Sequence, residues 1–317
     1  MLKKQFISHG VFGILVAFLL AAAACSKDEK SPTGAESTTT VQLTISGLKR
    51  LENGLNYQAW AIEYVDGYYY GYALGLFNFN ENGKMVDVSG DTLLSGEFTV
   101  GLASDNIYGI AITIELSDVM VSYSSSAHIL GGEVSEGQAN LTIDNWMGME
   151  TSFASVSGRY ILATPTDSIN TNEKSGIWFM DLSSGISLNG LGLPELPSGW
   201  EYEGWVILNS TYLSTGKFTS VNTTDGSSNY SGTWSSPTFP GEDFLQNAPA
   251  GLSFPIDLAG ASVMITVEPW NGLDDNTDKP FFLKLLAADI PVSAVDHTTY
   301  YMSAVTVPMP SGTATLK

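Results

Sequence analysis

Cys25, the only cysteine in the chain, directly follows Ala22, Ala23 and Ala24. Small residues in that place prepare a thiol for diacylglyceryl transfer and for cleavage at the cysteine itself, so Cys25 is the expected lipidation site. Tyr64, Tyr68, Tyr70 and Tyr72 fall at even spacings along a stretch that reads as a strand, which would put their rings on one face. A row of tyrosines can stack on sugar rings or peptide with large contact area and little rotamer entropy lost, and these four are the candidate ligand-binding residues. The competing account is cross-strand packing or contact between domains. Asp274, Asn276 and Asp278 have the alternating oxygens of a calcium loop, but Lys279 stands where an EF-hand loop needs glycine and Leu285 where it needs a bidentate glutamate. An acidic hairpin loop explains them better, and no metal site is expected. Ser214-Thr215-Gly216-Lys217 fits Ser-x-x-Lys but lacks a Lys-Thr-Gly or Ser-Asp-Asn companion. No Gly-x-Ser-x-Gly elbow, phosphate loop or dinucleotide fingerprint occurs either. Neither catalytic residues nor a cofactor are expected, and the chain reads as a non-enzyme.

The N-terminus decides where these groups act. Lys3 and Lys4 precede an apolar run from Val11 to Ala24, shorter than the roughly 20 residues a membrane-spanning helix needs, which is the pattern of a secretory signal. Residues 1–24 are thus the expected signal peptide, and residues 25–40, rich in Ser, Thr, Lys and Glu, a lipidated flexible tether. A triacylated cysteine exceeds the two hydrophobic signals that stable anchoring takes. Ser26 is not the aspartate that retains lipoproteins in the inner membrane, and Ser26-Lys27-Asp28-Glu29 resembles a short acidic surface-export tag. The expectation is an outer-membrane lipoprotein, with cell-surface exposure the finer reading. A single cysteine forms no internal disulfide, so the fold must rest on its apolar core. The formal charge is −20, and two units more negative once Lys3 and Lys4 leave with the signal. That charge excludes nucleic acid as a partner and leaves the lipid as the only expected membrane contact.

Beyond the tether the sequence repeats itself. Leu51, Gly54, Tyr57, Trp60 and Ile62 coincide in order and spacing with Leu196, Gly199, Tyr202, Trp205 and Ile207. Gly75-Leu76-Phe77 then pairs with Gly216-Lys217-Phe218, and Ile112-Thr113-Ile114-Glu115 with Ile265-Thr266-Val267-Glu268. The order of these blocks points to one β domain present twice, at 41–150 and 151–317. Alternation at Tyr57 to Ile62 and at Ile110 to Glu115, with turns such as Asn80 to Gly83, predicts antiparallel strands. Each copy is expected to be a β-sandwich or flattened barrel, giving an all-β protein of tandem domains. The second copy gains a predicted hairpin, Gly158 to Pro165 and Ser175 to Met180, joined by a polar loop. Tyr300 to Val307 reads as the last strand, stopped by Pro308 and Pro310.

The Asn56-Tyr57-Gln58-Ala59-Trp60-Ala61-Ile62 strand, the Gly75-Leu76-Phe77 strand and the Ile112-Thr113-Ile114-Glu115 strand together resemble the extracytoplasmic C-terminal domain of anti-sigma-K factors. In that family a Tyr-Gln-x-Trp strand, a Gly-x-Phe strand and a final strand ending in Glu-Pro recur in this order. The second copy is similar through Tyr202, Trp205, Gly216, Phe218 and Val267-Glu268-Pro269. The resemblance covers Gln42 to Leu130 and Leu196 to Leu286. It implies an outer sensing or interaction role and brings no catalytic residues. Sigma-factor sequestration is not expected, because everything after Cys25 would face outward and only His128 and His297 remain as zinc-type ligands.

Trp60 and Trp205 share a repeat position and are expected as core anchors. Glu115 and Glu268, also equivalent, are expected as structural hydrogen-bond acceptors, since a hydrolase's paired carboxylates must face one cleft. The functional expectation is a non-enzymatic, lipid-anchored sensing or interaction protein whose protein or glycan ligand is open. The alternative is a carbohydrate-binding surface lipoprotein that uses the tyrosine row.

Overall fold

The computed structural model describes residues 6–7, 37–270 and 279–317. Cys25, most of the tether, and Asp274, Asn276 and Asp278 lie outside the described residues. Among those described, no helix is long and apolar enough to cross a membrane.

The chain is all-β, as expected. Its first stretch forms β1 (Phe6–Ile7), β2 (Thr39–Ser46), β3 (Leu55–Val65), β4 (Tyr68–Phe79), β5 (Met85–Val86), β6 (Glu97–Val100), β7 (Ile107–Leu116), β8 (His128–Ser135) and β9 (Gln138–Thr142). The second stretch forms β10 (Ser157–Leu162), β11 (Gly176–Trp178), β12 (Met180–Asp181), β13 (Leu188–Asn189), β14 (Leu191–Gly192), β15 (Trp200–Leu208), β16 (Thr211–Phe218), β17 (Gly241–Asp243), β18 (Ser262–Pro269), β19 (Leu283–Asp289) and β20 (Tyr300–Ala304). A last strand, β21 (Ser311–Leu316), follows the prolines.

Two large sheets result. The first runs β1-β4-β3-β7-β8-β9-β21-β2-β6, with β5 on β4; the second runs β16-β15-β18-β19-β20-β10-β11-β17, with β14 on β10. Pairing is antiparallel apart from β1, which lies parallel to Tyr69 and Tyr70 of β4. The repeat is visible strand for strand, since β4-β3-β7-β8 matches β16-β15-β18-β19. Tyr57 pairs with Phe77 and Ile114, and Tyr202 with Phe218 and Val267. Even the irregularity is repeated: a bulge falls between Ala59 and Trp60 and again between Gly204 and Trp205. The Tyr57 hydroxyl donates to the Lys49 carbonyl at 2.8 Å and the Tyr202 hydroxyl to the Pro194 carbonyl at 2.6 Å, anchoring equivalent approaches to the strand.

The added hairpin of the second copy forms as read from the sequence, with Ile161 opposite Trp178 and Leu162 opposite Ile177, and β10 joins it to β20. The C-terminus differs from the expected division at 150. Tyr300–Ala304 is not the final strand; β21 follows it and belongs to the first sheet, with Leu43 opposite Ala314 on one side and Ala139 opposite Ala314 on the other. Pro308 and Pro310 end one strand, as expected, but they also carry the chain across to the other sheet. Ala314 is fully buried there. One continuous apolar cluster spans both copies, and two smaller ones gather around Trp60 and around Trp178. The Trp200 indole donates to the His128 carbonyl at 3.1 Å, and a Cβ on Gly199, whose φ is +95°, would lie 2.4 Å from the Ser126 backbone. Only glycine permits that approach.

Candidate functional site

The equivalent outer faces of the two sheets carry a buried relay. On the first, the Trp60 indole donates to the Thr113 hydroxyl at 2.8 Å, which donates to Glu115 at 2.5 Å; the carboxylate also accepts the Ser125 N–H at 2.9 Å. On the second, Trp205 donates to Thr266 at 2.9 Å, Thr266 to Glu268, and the Phe281 N–H to Glu268 at 3.0 Å. Both indoles are only 2 % exposed. Burial raises the Glu115 pKa, opposed by the Thr113 and Ser125 donors. Glu115 thus holds Ser125 in the loop after its strand, and Glu268 holds Phe281 ahead of β19. Thr113→Val and Thr266→Val should each cost about 2 kcal/mol, because each strands an indole donor and removes a donor from a buried carboxyl. Urea unfolding reads this; an unchanged midpoint in both variants would show the relays to be incidental.

Around these relays the copies diverge. Asn56 and Gln58 of the first copy stand where the second has Glu201 and Glu203. The Gln58 amide exchanges two 2.9 Å hydrogen bonds with the Val121 backbone. In the second copy Lys217 pairs with Glu201 at 3.3 Å and the Ser214 hydroxyl donates to Glu203 at 2.5 Å. Burial pulls the Lys217 pKa down, but Glu203 and Glu201 outweigh it and the net shift is upward. Ser214 and Lys217 are thus both engaged by the Glu201 and Glu203 carboxylates.

The tyrosine row is corrected by the geometry. Asp66 and Gly67, with φ of 52° and 88°, make a two-residue hairpin turn inside the stretch that reads as one strand. Tyr64 pairs with Tyr69, Val65 with Tyr68, Glu63 with Tyr70 and Ala61 with Tyr72. Directly opposed residues share a face, so Tyr68, Tyr70 and Tyr72 lie on one side of the hairpin and Tyr64 on the other. The turn resets the parity that the linear spacing suggests. Tyr72 leans toward the core, and its hydroxyl donates to Glu63 at 2.8 Å; burial first, then Glu63, pushes its pKa up to about 12.

Tyr64 instead joins residues that the spacing does not single out. Its ring lies 4.7 Å from Tyr69 and 5.9 Å from Tyr108, and Tyr69 lies 5.4 Å from Tyr108 and 4.8 Å from Trp146, measured between centroids. Tyr108 occupies a bulge in β7 opposite Ile62 and Glu63, and Trp146 stands in the loop after β9. Glu133 fixes that loop by accepting the Trp146 indole at 2.5 Å and the Asn145 amide at 2.7 Å. The Tyr108 pKa is raised by burial first, then by Tyr69 and by the Glu133 charge. Tyr64 is 50 % exposed, Tyr108 and Trp146 partly so, and Tyr69 forms the buried floor.

Among the described residues this patch has no counterpart in the second copy. The turn follows Trp60 by six residues and Trp205 by only four, so each strand of the first hairpin runs two residues further. Tyr64, Tyr68 and Tyr69 sit on that extension. β1 lies beside it, and cleavage at Cys25 would leave the Tyr69–Tyr70 backbone at the sheet edge.

The second copy has its own polar cluster. Asp243 accepts the Trp178 indole at 2.7 Å, the Thr166 N–H at 2.8 Å and the Thr166 hydroxyl. Glu242, fully buried, accepts the Ser231 hydroxyl and, at 3.4 Å, that of Ser227. Asp225 accepts the Gly241 N–H at 2.7 Å and the Ser227 N–H at 3.0 Å. Burial, above all, raises the Glu242 pKa to about 7 and the Asp225 pKa to about 6. Among the described residues no group of three His, Cys, Asp or Glu side chains could hold a metal ion. Comparison with protein-family models, with curated proteins and with solved structures gave no match to this chain.

Proposed function

We propose that the chain is a lipid-anchored, extracytoplasmic interaction protein without catalytic activity, and that it engages its partner through the outer face of the first copy, at Tyr64, Tyr108 and Trp146. The carrying observation is the contrast between duplicates. What they share is buried scaffold, the tyrosine anchors and the indole relays; what distinguishes the first is a hairpin two residues longer on each strand, whose tip adds half-exposed Tyr64 to a cluster with Tyr69, Tyr108 and Trp146. Aromatic side chains exposed on a rigid sheet give large contact area at small entropic cost, which is the usual make-up of a binding hot spot. The resemblance to the outer domain of anti-sigma-K factors supports the same role. Acylation of Cys25 would hold that face close to the outer membrane.

A photo-crosslinking amino acid placed at Tyr64, and separately at Tyr212 of the second hairpin, tests this in cells that make the protein. Discrete adducts are expected from position 64 and none from 212. Equal adducts from both positions, or none from either, would remove the patch from consideration. The carbohydrate reading now concerns Tyr64 and its new neighbours, since Tyr68, Tyr70 and Tyr72 point to the opposite side.

A further inference from the structure

We infer that the tip of β4, from Tyr68 to Ala73, is an acceptor edge that takes an extended segment of a partner protein as an added strand once the signal peptide has gone. The inference rests on the binding reading above and adds the form in which the partner arrives. It starts from the strand that already sits there: Phe6 of β1 lies opposite Tyr69 and Ile7 opposite Tyr70, in parallel. β1 falls within the expected signal peptide, so processing at Cys25 takes this strand away and leaves the edge that it covered. A parallel neighbour is held by evenly spaced backbone hydrogen bonds, which any extended chain can supply whatever its side chains.

The edge has definite ends. At the far end of β4, Asn78 and Phe79 are paired to β5. Ahead of them the Phe98 ring of β6 closes over Gly75, where a Cβ would lie 2.5 Å from it, and packs at 6.0 Å from the Phe77 ring. Leu74, Gly75 and Phe77 are buried, whereas Tyr68 is 53 % exposed and Tyr70 to Ala73 are partly so. The tip therefore offers a slot about six residues, or roughly 20 Å, long. On the equivalent edge of the second copy, the Gly226 N–H donates to the Lys217 carbonyl at 2.8 Å and Asp225 stands against Gly216.

Edges that must stay unpaired are kept short or are blunted by charge or proline. β6 carries Glu97, β16 Lys217, and β17 Glu242 and Asp243. β4 is longer than any of these, with twelve residues, and has neither a charge nor a proline. Such an edge suits a strand that is meant to be paired. Directly opposed residues share a face, so a partner residue set against Tyr69 would stand on the side of Tyr64, Tyr108 and Trp146. Backbone bonds would then supply affinity, and the aromatic patch would select an apolar or aromatic residue at that position. While the signal peptide is attached, β1 competes for the slot as a tethered segment, so capture of the partner would follow processing.

The test uses the mature chain with Cys25→Ser, so that no lipid contributes. The probe is the end-blocked hexapeptide Gln-Phe-Ile-Ser-His-Gly, residues 5–10, which in the register of β1 spans Tyr68 to Ala73. Two further versions carry N-methyl groups at alternate residues, one at positions 5, 7 and 9 and the other at 6, 8 and 10. At millimolar peptide, hydrogen exchange should slow at amides between Tyr68 and Ala73 and stay unchanged at Thr211 to Ser214 of β16. One methylated version should lose about tenfold or more in affinity, because its blocked N–H groups face β4, and the other should bind within about twofold of the parent peptide. Equal affinity of the two versions, whether kept or lost, would overturn the inference, as would no protection between Tyr68 and Ala73. Protection there without peptide, in a dimer seen by sedimentation, would assign the edge to a second copy of the chain and overturn it too. Crosslinks from position 64 with no effect of the peptide would keep the aromatic surface and remove the added strand, whereas failure of both experiments would remove the surface as well.

Discussion

Removing residues 311–317 is expected to unfold the first copy, although the truncation lies far from it in sequence. β21 fills the gap between β9 and β2, with six residues paired on one side and five on the other. Without it, β2 and β6 have no hydrogen-bonded path to the rest of the sheet, and two buried strand edges lose their partners. Ala314 would also leave a hole in the core. Hydrogen exchange should report loss of protection in β2 and β9 first and then across the sheet. Ala314→Asp keeps the chain length and should act through the same strand, since an unpaired carboxylate buried between two strands costs several kcal/mol. A synthetic peptide of residues 311–317 added to the truncated protein should restore protection. Truncated chain with undisturbed protection in β2 and β9 would contradict this account. The closure is also long in sequence, so the first sheet cannot be completed until residues 311–316 have joined it, which makes its formation slow.

The same strand shows what the sequence could and could not convey. The strand from Tyr57 to Ile62 was legible, although no exposed face alternates with a buried one: Tyr57, Ala59 and Ala61 face the main core, and Trp60 and Ile62 face a second apolar cluster. So was the duplication, since Tyr57, Trp60 and Glu115 recur as Tyr202, Trp205 and Glu268 and each pair makes equivalent hydrogen bonds. Ser311 to Leu316 is short and rich in Gly, Thr and Ala, buries Ala314 on both sides' account and says nothing about which sheet it will enter; that is decided by register with strands hundreds of residues earlier. The candidate site was half legible. Tyr64 was found, but its face was not, although the Asp66-Gly67 dipeptide carried the turn that determines it. Tyr108 and Trp146 had no local signal. They reach Tyr69 only because β7 and the loop after β9 pass beside the hairpin in three dimensions.

Stability should fall as pH rises from about 4.5 to about 7, the reverse of what an acidic protein with ordinary ion pairs would show. Glu242 is the main cause. It is fully buried in β17, opposite Ile177, with the Asp225 and Asp243 carboxylates near enough to disfavour its charge, and burial is the largest influence. The Ser231 and Ser227 hydroxyls work against the shift without cancelling it. A carboxyl whose folded pKa lies above its unfolded one binds its proton more tightly in the native state. Its contribution is intact below the unfolded pKa and disappears as pH rises through the folded value of about 7. A shift of that size corresponds to roughly 3 kcal/mol. Asp225, raised to about 6, adds in the same direction over the lower part of the window. Asp181 has the opposite sign: the Ser183 N–H and hydroxyl, and then Arg159, hold its pKa down, so what it contributes is lost only at more acid pH. Glu242→Gln removes the titration while keeping an oxygen for the Ser231 hydroxyl, so the variant should lose most of the slope and exceed the parent in stability at pH 8. Chemical denaturation at a series of pH values between 4.5 and 8 decides the matter. A parent protein equally stable across that range would mean that Glu242 is ionised in the fold, and a Glu242→Gln variant with the parent's slope would shift the assignment to Asp225 and Asp243.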